Sequence, residues 1–438
     1  MQRRNTPDRA RFKPYSESAE HPSTSLLRLE LSGVSGWVGG VWSTSKAFES
    51  TLNPCHPAPH SRAGTPDMAL LAFDGFDHYA TTVDLQSRVG VLQWSDLTII
   101  RPGYITFTTG AAGYGQAINL YAGGGPGLGG PVNQLLASAY FGSRILISNV
   151  SLTHVDLQVM DYVQDLAQLT VRLDPRSGIV SVYSGDPDTT FPSPVLLAMS
   201  TPNAFSPHIW NYVEVFASIG TGGAFDVHVQ GSSVVSGSGV LVQYPTPLPA
   251  GKATRNDLSG FRYRLGEDGN TQDGVALSID DFYVCDSTTG PGTYPCNSFL
   301  GDVAVQTLTP TANVSVQWTP LAGTNYTEVG TAQFEGDLSY NSAGAVGAAD
   351  VFTLSALPTS TLAVFGVQLT GAYRKLNASA QTIVQTVTSG GTAQASAPLT
   401  MSLAYAYYST MLPLDPHTSA SWTPAAVNLM HAGYTLHS

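Results

Sequence analysis

Two acids held on one face of a strand, about 5 to 9 Å apart, can cleave a glycosidic bond, so the spacing of Asp and Glu residues is the first thing to ask of this chain. Side chains at i and i+2 or i+4 share a strand face. Asp186 and Asp188 have that spacing but sit in a Gly-Asp-Pro turn, and Asp161 and Asp165 follow the strand that ends at Met160. Asp74 with Asp77, and Asp280 with Asp281, have the wrong spacing. In a strand the neighbours Asp280 and Asp281 face opposite sides, so they read as strand-end and turn features. A catalytic pair would have to be assembled from different strands.

Other chemistry-bearing stretches are weaker still. The loop Glu267-Asp268-Gly269-Asn270-Thr271-Gln272-Asp273 gathers the oxygen ligands calcium prefers, with Glu267, Asp268, Asn270 and Asp273 as candidates. It lacks the twelve-residue EF-hand spacing and reads first as a solvated acidic turn. The segment Gly125 to Gly130, GPGLGG, formally fits the dinucleotide fingerprint, yet Pro131 and more β pattern follow where a helix must open. There is no P-loop lysine, no G-x-S-x-G elbow and no H-E-x-x-H. Tyr114, Tyr121, Tyr140 and Phe141 lie in or beside the glycine-rich stretch and are the aromatics that could stack on a sugar. Trp210, Tyr212 and Phe216 alternate along a strand, where core packing is the default.

The elements that must position these residues are strands. Short runs with a period of two recur from Met68 to Asp286, among them Tyr104 to Thr108, Gln116 to Tyr121, Arg144 to Val150, Thr153 to Met160, Leu169 to Leu173, Gly178 to Tyr183 and Tyr212 to Ile219. Turn residues separate them, as at Asp174-Pro175, Ser177-Gly178 and Gly220 to Gly223. Many short strands without crossover helices predict an all-β fold, an antiparallel β-sandwich of jelly-roll type over residues 68–286. Residues 287–297 are rich in Gly, Pro, Thr and Ser and read as a linker. Residues 298–438 continue as a smaller β domain with one C-terminal helix, capped by Thr423, with Pro424 in its first turn and Gly433 ending it. Residues 1–67 hold many of the arginines and no sustained period; they read as an N-terminal extension that is either a disordered arm or a mis-assigned start ahead of Met68.

Composition narrows the function classes. The chain has 438 residues, 11% of them charged, 44 glycines and a formal net charge of -12. A length of this kind predicts two or three domains. Sparse charge with abundant Gly suits an extracellular or particle-bound β protein, and the acidic balance argues against nucleic acid. No apolar run approaches the roughly 20 residues that span a bilayer, and the N-terminus lacks the basic-then-apolar pattern of an export signal. The expectation is therefore a soluble chain without membrane insertion. Three cysteines, Cys55, Cys285 and Cys296, cannot build a disulfide framework. Cys285 and Cys296 flank the linker and either close it as a disulfide or stay apart.

Several segments resemble bacteriophage virion structural proteins of tail type with a concanavalin A-like lectin/glucanase jelly roll. They are FDGFDHY at Phe73 to Tyr79, YGQAINL at Tyr114 to Leu120, WNYVEVFASIGTGG at Trp210 to Gly223, IDDFYVCD at Ile279 to Asp286 and FLGDVAVQTLTP at Phe299 to Pro310. WTPLAGTNYTEV at Trp318 to Val329, DLSYNSAG at Asp337 to Gly344 and DPHTSASWTPAAVNLMHAG at Asp415 to Gly433 extend the likeness through the second domain. The resemblance implies a non-enzymatic structural component of a tailed-phage virion, in tail, neck or fibre, assembled in the host cytoplasm and exposed on the particle. Its partners would be other virion proteins and further copies of itself, with no cofactor. A host-glycan-binding adhesin is the alternative reading, and a polysaccharide-degrading enzyme the next. The glucanases of this fold carry E-x-D-x-x-E, whereas Glu335-Gly336-Asp337 has Tyr340 where the last acid belongs. No catalytic residues carry over.

Overall fold

The computed structural model describes residues 24–36, 70–81, 84–85, 88–89, 94, 105–111, 113, 115–121, 127–148, 152–189, 193–245, 248, 251–253, 257–266, 275–287 and 298–438. Along the chain come β1 (Thr24–Gly36), β2 (Leu70–Asp74), β3 (Arg88–Val89), β4 (Ile105–Thr109), β5 (Gln116–Tyr121), β6 (Gly127–Leu136), β7 (Ser138–Ile147), β8 (His154–Asp161), β9 (Leu166–Asp174) and β10 (Ile179–Ser184). Then follow β11 (Val195–Met199), β12 (Asn211–Ser218), β13 (Gly220–Val229), β14 (Ser232–Val242), β15 (Leu258–Gly266) and β16 (Val275–Asp286). The remainder holds β17 (Val303–Leu308), β18 (Pro310–Ser315), β19 (Thr319–Pro320), β20 (Asn341–Ser342), β21 (Ala349–Leu354), β22 (Val364–Lys375), β23 (Thr382–Ser389), β24 (Thr392–Ala395), β25 (Leu399–Thr400), β26 (Ala406–Leu412) and β27 (His431–Leu436).

The all-β expectation holds. Two antiparallel sheets make a jelly-roll sandwich. The front sheet has the order β11-β10-β9-β8-β15-β6, and the back sheet β14-β13-β12-β7-β16-β5-β4 with β2 beside β16. Strict alternation creates the core between them: Val155, Leu157 and Val159 of β8 and Leu169, Val171 and Leu173 of β9 meet Val213, Val215 and Ala217 of β12 and Ile145 and Ile147 of β7. Burying each such aliphatic side chain stabilises by about 1.5–3 kcal/mol. A polar bridge across this core is satisfied, the Tyr263 hydroxyl donating to Ser143 Oγ at 2.7 Å.

The second domain is smaller, with an antiparallel sheet β18-β21-β27-β23-β24 carrying β25 beside β23, and a mixed sheet β19-β20-β1-β22-β26-β3 in which β17 pairs with β1. The expected helix spans Pro424–Leu429, and Thr423 Oγ1 accepts from the Ala426 amide at 3.1 Å. Gly433 does not end it. Met430 is already extended, and Gly433 lies inside β27, where an added Cβ would meet the Asp350 carbonyl at 2.1 Å. The glycine serves close strand approach, which the sequence cannot distinguish from a helix stop. Residues 287–297, Ser287 apart, lie outside the described residues, as do 1–23 and 37–67 of the N-terminal extension; Thr24–Gly36 of that extension is a strand.

The two domains are packed together. Leu70, Phe73, Tyr212, Tyr283 and Cys285 of the back sheet's outer face form one apolar cluster with Leu300, Val303 and Val305. At its centre Glu214, 0% exposed, accepts from Tyr283 Oη (2.5 Å) and from the amides of Leu300 and Gly301 (2.9 Å each). Burial pushes this carboxyl above its usual range, against the hydrogen bonds that stabilise its charge.

Asp280 and Asp281 differ from the expectation. They lie within β16 at a β-bulge: Asp280 pairs with Arg144 and Tyr283 with Gly142, so one extra residue is accommodated, and Asp281 has φ +50°. Both are buried. Asp281 accepts from the Val305 amide (2.6 Å) and pairs with Arg144 Nε (2.9 Å), while Asp280 accepts from the amides of Ala111 and Asp281 (2.8 Å each). The pair is therefore part of the domain joint.

Candidate functional site

The outer face of the front sheet is built from the residues that alternate with its core. On β8 these are His154, Asp156 and Gln158, at i, i+2 and i+4. Register places their neighbours. Asp156 lies between Arg172 of β9 and Arg264 of β15, and Gln158 between Thr170 and Arg262. The rows extend to Ser181 and Tyr183 of β10 on one side and to Gly127 and Gly129 of β6 on the other. Ten positions from five strands thus form a polar grid.

Glycines make room in this grid. A Cβ at Gly266 would lie 2.1 Å from the His154 ring, at Gly260 2.2 Å from the Tyr162 ring, and at Gly129 2.6 Å from the Tyr162 hydroxyl. The stretch read as a formal dinucleotide fingerprint therefore enters a strand, β6, and its Gly129 leaves room for the Tyr162 side chain against the sheet. Arg262 stands 6.0 Å from the centre of that Tyr162 ring and Arg172 5.8 Å from that of Tyr183.

Charges on the grid are paired. Arg172 donates from Nε and Nη2 to the two oxygens of Asp156, both at 2.8 Å, and from Nη2 to Asp188 at 2.6 Å. Arg264 reaches Asp186 at 2.7 Å and Asp188 at 3.4 Å, and His154 Nε2 lies 3.2 Å from Asp188. The Gly-Asp-Pro turn is thereby strapped over the sheet, with Thr170 Oγ1 donating to the Gly185 carbonyl at 2.7 Å. Burial pushes the Asp156 carboxyl up even with Arg172 beside it. The more exposed Asp188 feels the same burial effect, but the His154 and Arg172 hydrogen bonds overcome it and hold its carboxyl well below the usual range. His154, Asp156 and Asp188 have donor atoms within 4.8 Å of one another, a set that could hold a metal ion. The Arg172 guanidinium already engages both Asp156 oxygens and one of Asp188, so a metal ion would compete with it for the same carboxylates.

Gln158 is the exception. It is 1% exposed, and both atoms of its amide are buried without a hydrogen-bond partner. Leaving a buried polar group unmet costs about 1–3 kcal/mol, so such a group calls for an explanation.

The aromatic candidates fall elsewhere. Phe141 is 2% exposed in the sandwich core, 4.4 Å from the Phe261 ring centre, and cannot reach a sugar. Tyr140 is on the opposite face, in the joint against Phe216 and Phe299 at 4.7 and 5.0 Å. Tyr121 closes β5, partly buried, its hydroxyl 3.5 Å from Thr106 Oγ1. Tyr114 and the calcium candidates Glu267, Asp268, Asn270 and Asp273 lie outside the described residues. Of the carboxylates weighed as catalytic pairs, Asp186 and Asp188 do meet on the grid, held by arginines; Asp74 accepts from the Phe76 amide, Tyr79 Oη and Trp94 Nε1, each at 2.9 Å. Cys285 is disulfide-bonded, and its partner lies outside the described residues. The grid itself was visible only as alternation: the run His154 to Met160 reads polar, apolar, polar, apolar, but the residues opposite it are set by register.

No family model matches the chain, and no curated protein matches it. Among solved structures it is similar to an endo-β-1,4-glucuronan lyase from the fungus Trichoderma reesei (12% identity, 49% of this chain and 94% of that one, TM-score 0.33). It is similar also to domain 4 of AbnA, an extracellular arabinanase from Geobacillus stearothermophilus, in complex with arabinotriose (14%, 50% and 93%, TM-score 0.31), and to a carbohydrate-binding module from Bacillus subtilis (8%, 41% and 91%, TM-score 0.27). With scores this low, the assignment of the fold rests on the strand order itself.

Proposed function

We propose that the protein is a non-catalytic glycan-binding module built into a tailed-phage particle, with the outer face of the front sheet as its contact surface. The observation that carries the binding role is Gln158, an unmet amide at the centre of a polar grid flanked by Tyr162 and Tyr183. Sugar hydroxyls both donate and accept, as a carboxamide does, and flat rings beside a polar row suit pyranose faces. Access runs past Arg262 and the Asp186 to Asp188 strap. The outermost tie, Arg262 to Asp165, has a carboxylate 68% exposed, and such exposed pairs are worth only about 0–1 kcal/mol, so the Arg262 side of the cover gives way more readily than the arginine-held strap.

The reading is non-catalytic because the acids of the grid, Asp156, Asp186 and Asp188, are each tied to an arginine, so none stands free to serve as the acid or the nucleophile of a glycosidase pair. The phage assignment is supported by the ordered segments from Phe73 to Gly433, and the packed joint suits a rigid component of an assembly. Screening the full chain against a glycan array tests the binding role. Binding to at least one glycan is expected; no binding, with the protein located at a portal or neck of the particle, would leave assembly as its whole function.

A further inference from the structure

Among the described residues β17 pairs with no strand except β1, and β22 pairs only with β1 and β26. β1 runs parallel to both, from Thr24 opposite Val303 to Leu29 opposite Leu308 on one side, and from Ser25 opposite Val364 to Gly36 opposite Lys375 on the other. Without it, two strands whose side chains are largely buried, with Val303, Leu308, Val367 and Leu369 between 0 and 2% exposed, would face each other across a gap one strand wide. An open gap leaves two rows of backbone donors and acceptors unpaired, which is the template for strand addition.

The strand that fills the gap comes from far away in sequence. Residues 37–69 separate Gly36 from Leu70, 33 residues that can span about 110 Å when extended. A link that long does not oblige β1 to fill the gap of its own chain, and every backbone hydrogen bond is identical if the strand comes from another copy. We propose that the gap between β17 and β22 is a strand-acceptor slot that takes the Thr24–Gly36 segment of a second copy and so links copies of this chain. The slot lies in the second domain, so its failure leaves the glycan reading untouched, and the reverse.

Register supplies the test. Ser25 lies opposite Ala304 and Gly36 opposite Lys375, and paired Cα atoms at strand spacing are within disulfide reach. Differently tagged full-length chains, one S25C and the other A304C, are co-expressed and oxidised, and the linked peptides are identified by mass spectrometry. The expected result is a reducible heterodimer joined between positions 25 and 304, absent when either variant is expressed alone. The G36C and K375C pair repeats the measurement at the other end of the strand, should the first pair fail to fold. A doubly substituted S25C/A304C chain that closes only on itself, with no heterodimer from either mixed pair, would overturn the proposal. So would the absence of any 25–304 or 36–375 link.

Discussion

Arg172 and Asp156 form a two-pronged ion pair, 2.8 Å on each prong, with the carboxylate 0% exposed and the guanidinium side chain 18% exposed. Removing the cation leaves a buried carboxylate without compensation, a loss of about 3–5 kcal/mol. Arg172→Met is therefore expected to lower the free energy of unfolding by that amount in urea titration and to release the Asp186 to Asp188 strap. A loss under 1 kcal/mol would show that the pair does not organise the face.

The domain joint makes a second prediction through Glu214. Glu214→Leu keeps the volume but strands the amides of Leu300 and Gly301 and the Tyr283 hydroxyl, at about 1–3 kcal/mol for each group left unsatisfied. Glu214→Gln retains an acceptor and should cost less than half as much. Limited proteolysis near Leu300 is the direct readout, with faster cleavage expected for the leucine variant only.

Stability should fall as pH rises. Burial, and then the neighbouring Asp281 charge, hold Asp280 above the usual carboxylate range; burial, against the Arg144 charge, pushes Asp281 up to about 7, and burial raises Glu214 and Asp156 likewise. With raised values in the folded state, the native protein binds more protons than the unfolded chain between about pH 4 and 7, so stability declines across that window. Asp188, held low, works in the opposite sense only at more acid pH. Melting temperatures are expected to be higher at pH 5 than at pH 8; equal melting temperatures, or the reverse order, would contradict the raised carboxyls.

Gly260 offers a steric check on the grid. A methyl there would sit 2.2 Å from Tyr162 Cδ2 and 2.5 Å from the Gly130 carbonyl. Gly260→Ala is expected to destabilise by about 1–3 kcal/mol, as overpacking does, and to shift the Tyr162 fluorescence environment. Gly222→Ala, where nothing lies within 4 Å, should be close to neutral.

The strands were legible because the runs of strand-forming residues between turn residues survive in sequence: Gln116–Tyr121 matches its run residue for residue. What failed depended on partners far along the chain. Asp281 reads as a turn residue until a bulge against β7 places it in mid-strand. Gly433 reads as a helix stop until the Asp350 carbonyl is seen against it. The polar face was missed because Gln158 gains its meaning only from Thr170 and Arg262 beside it, and β-sheet register is fixed by packing that no single strand encodes. Aromatics beside a glycine-rich stretch drew attention to Tyr140 and Phe141, which the alternation of β7 sends to the joint and to the core.

The central claim concerns Gln158, and Gln158→Leu tests it in two directions at once. An unmet buried amide costs stability, so its replacement by an apolar side chain of similar size should raise the free energy of unfolding by about 1–2 kcal/mol. The same change removes the group that meets the sugar. The account predicts a more stable full-length chain whose affinity for its array-identified glycan falls at least tenfold by isothermal titration. Unchanged glycan affinity in that variant, or a wild-type chain that binds no glycan, would contradict it.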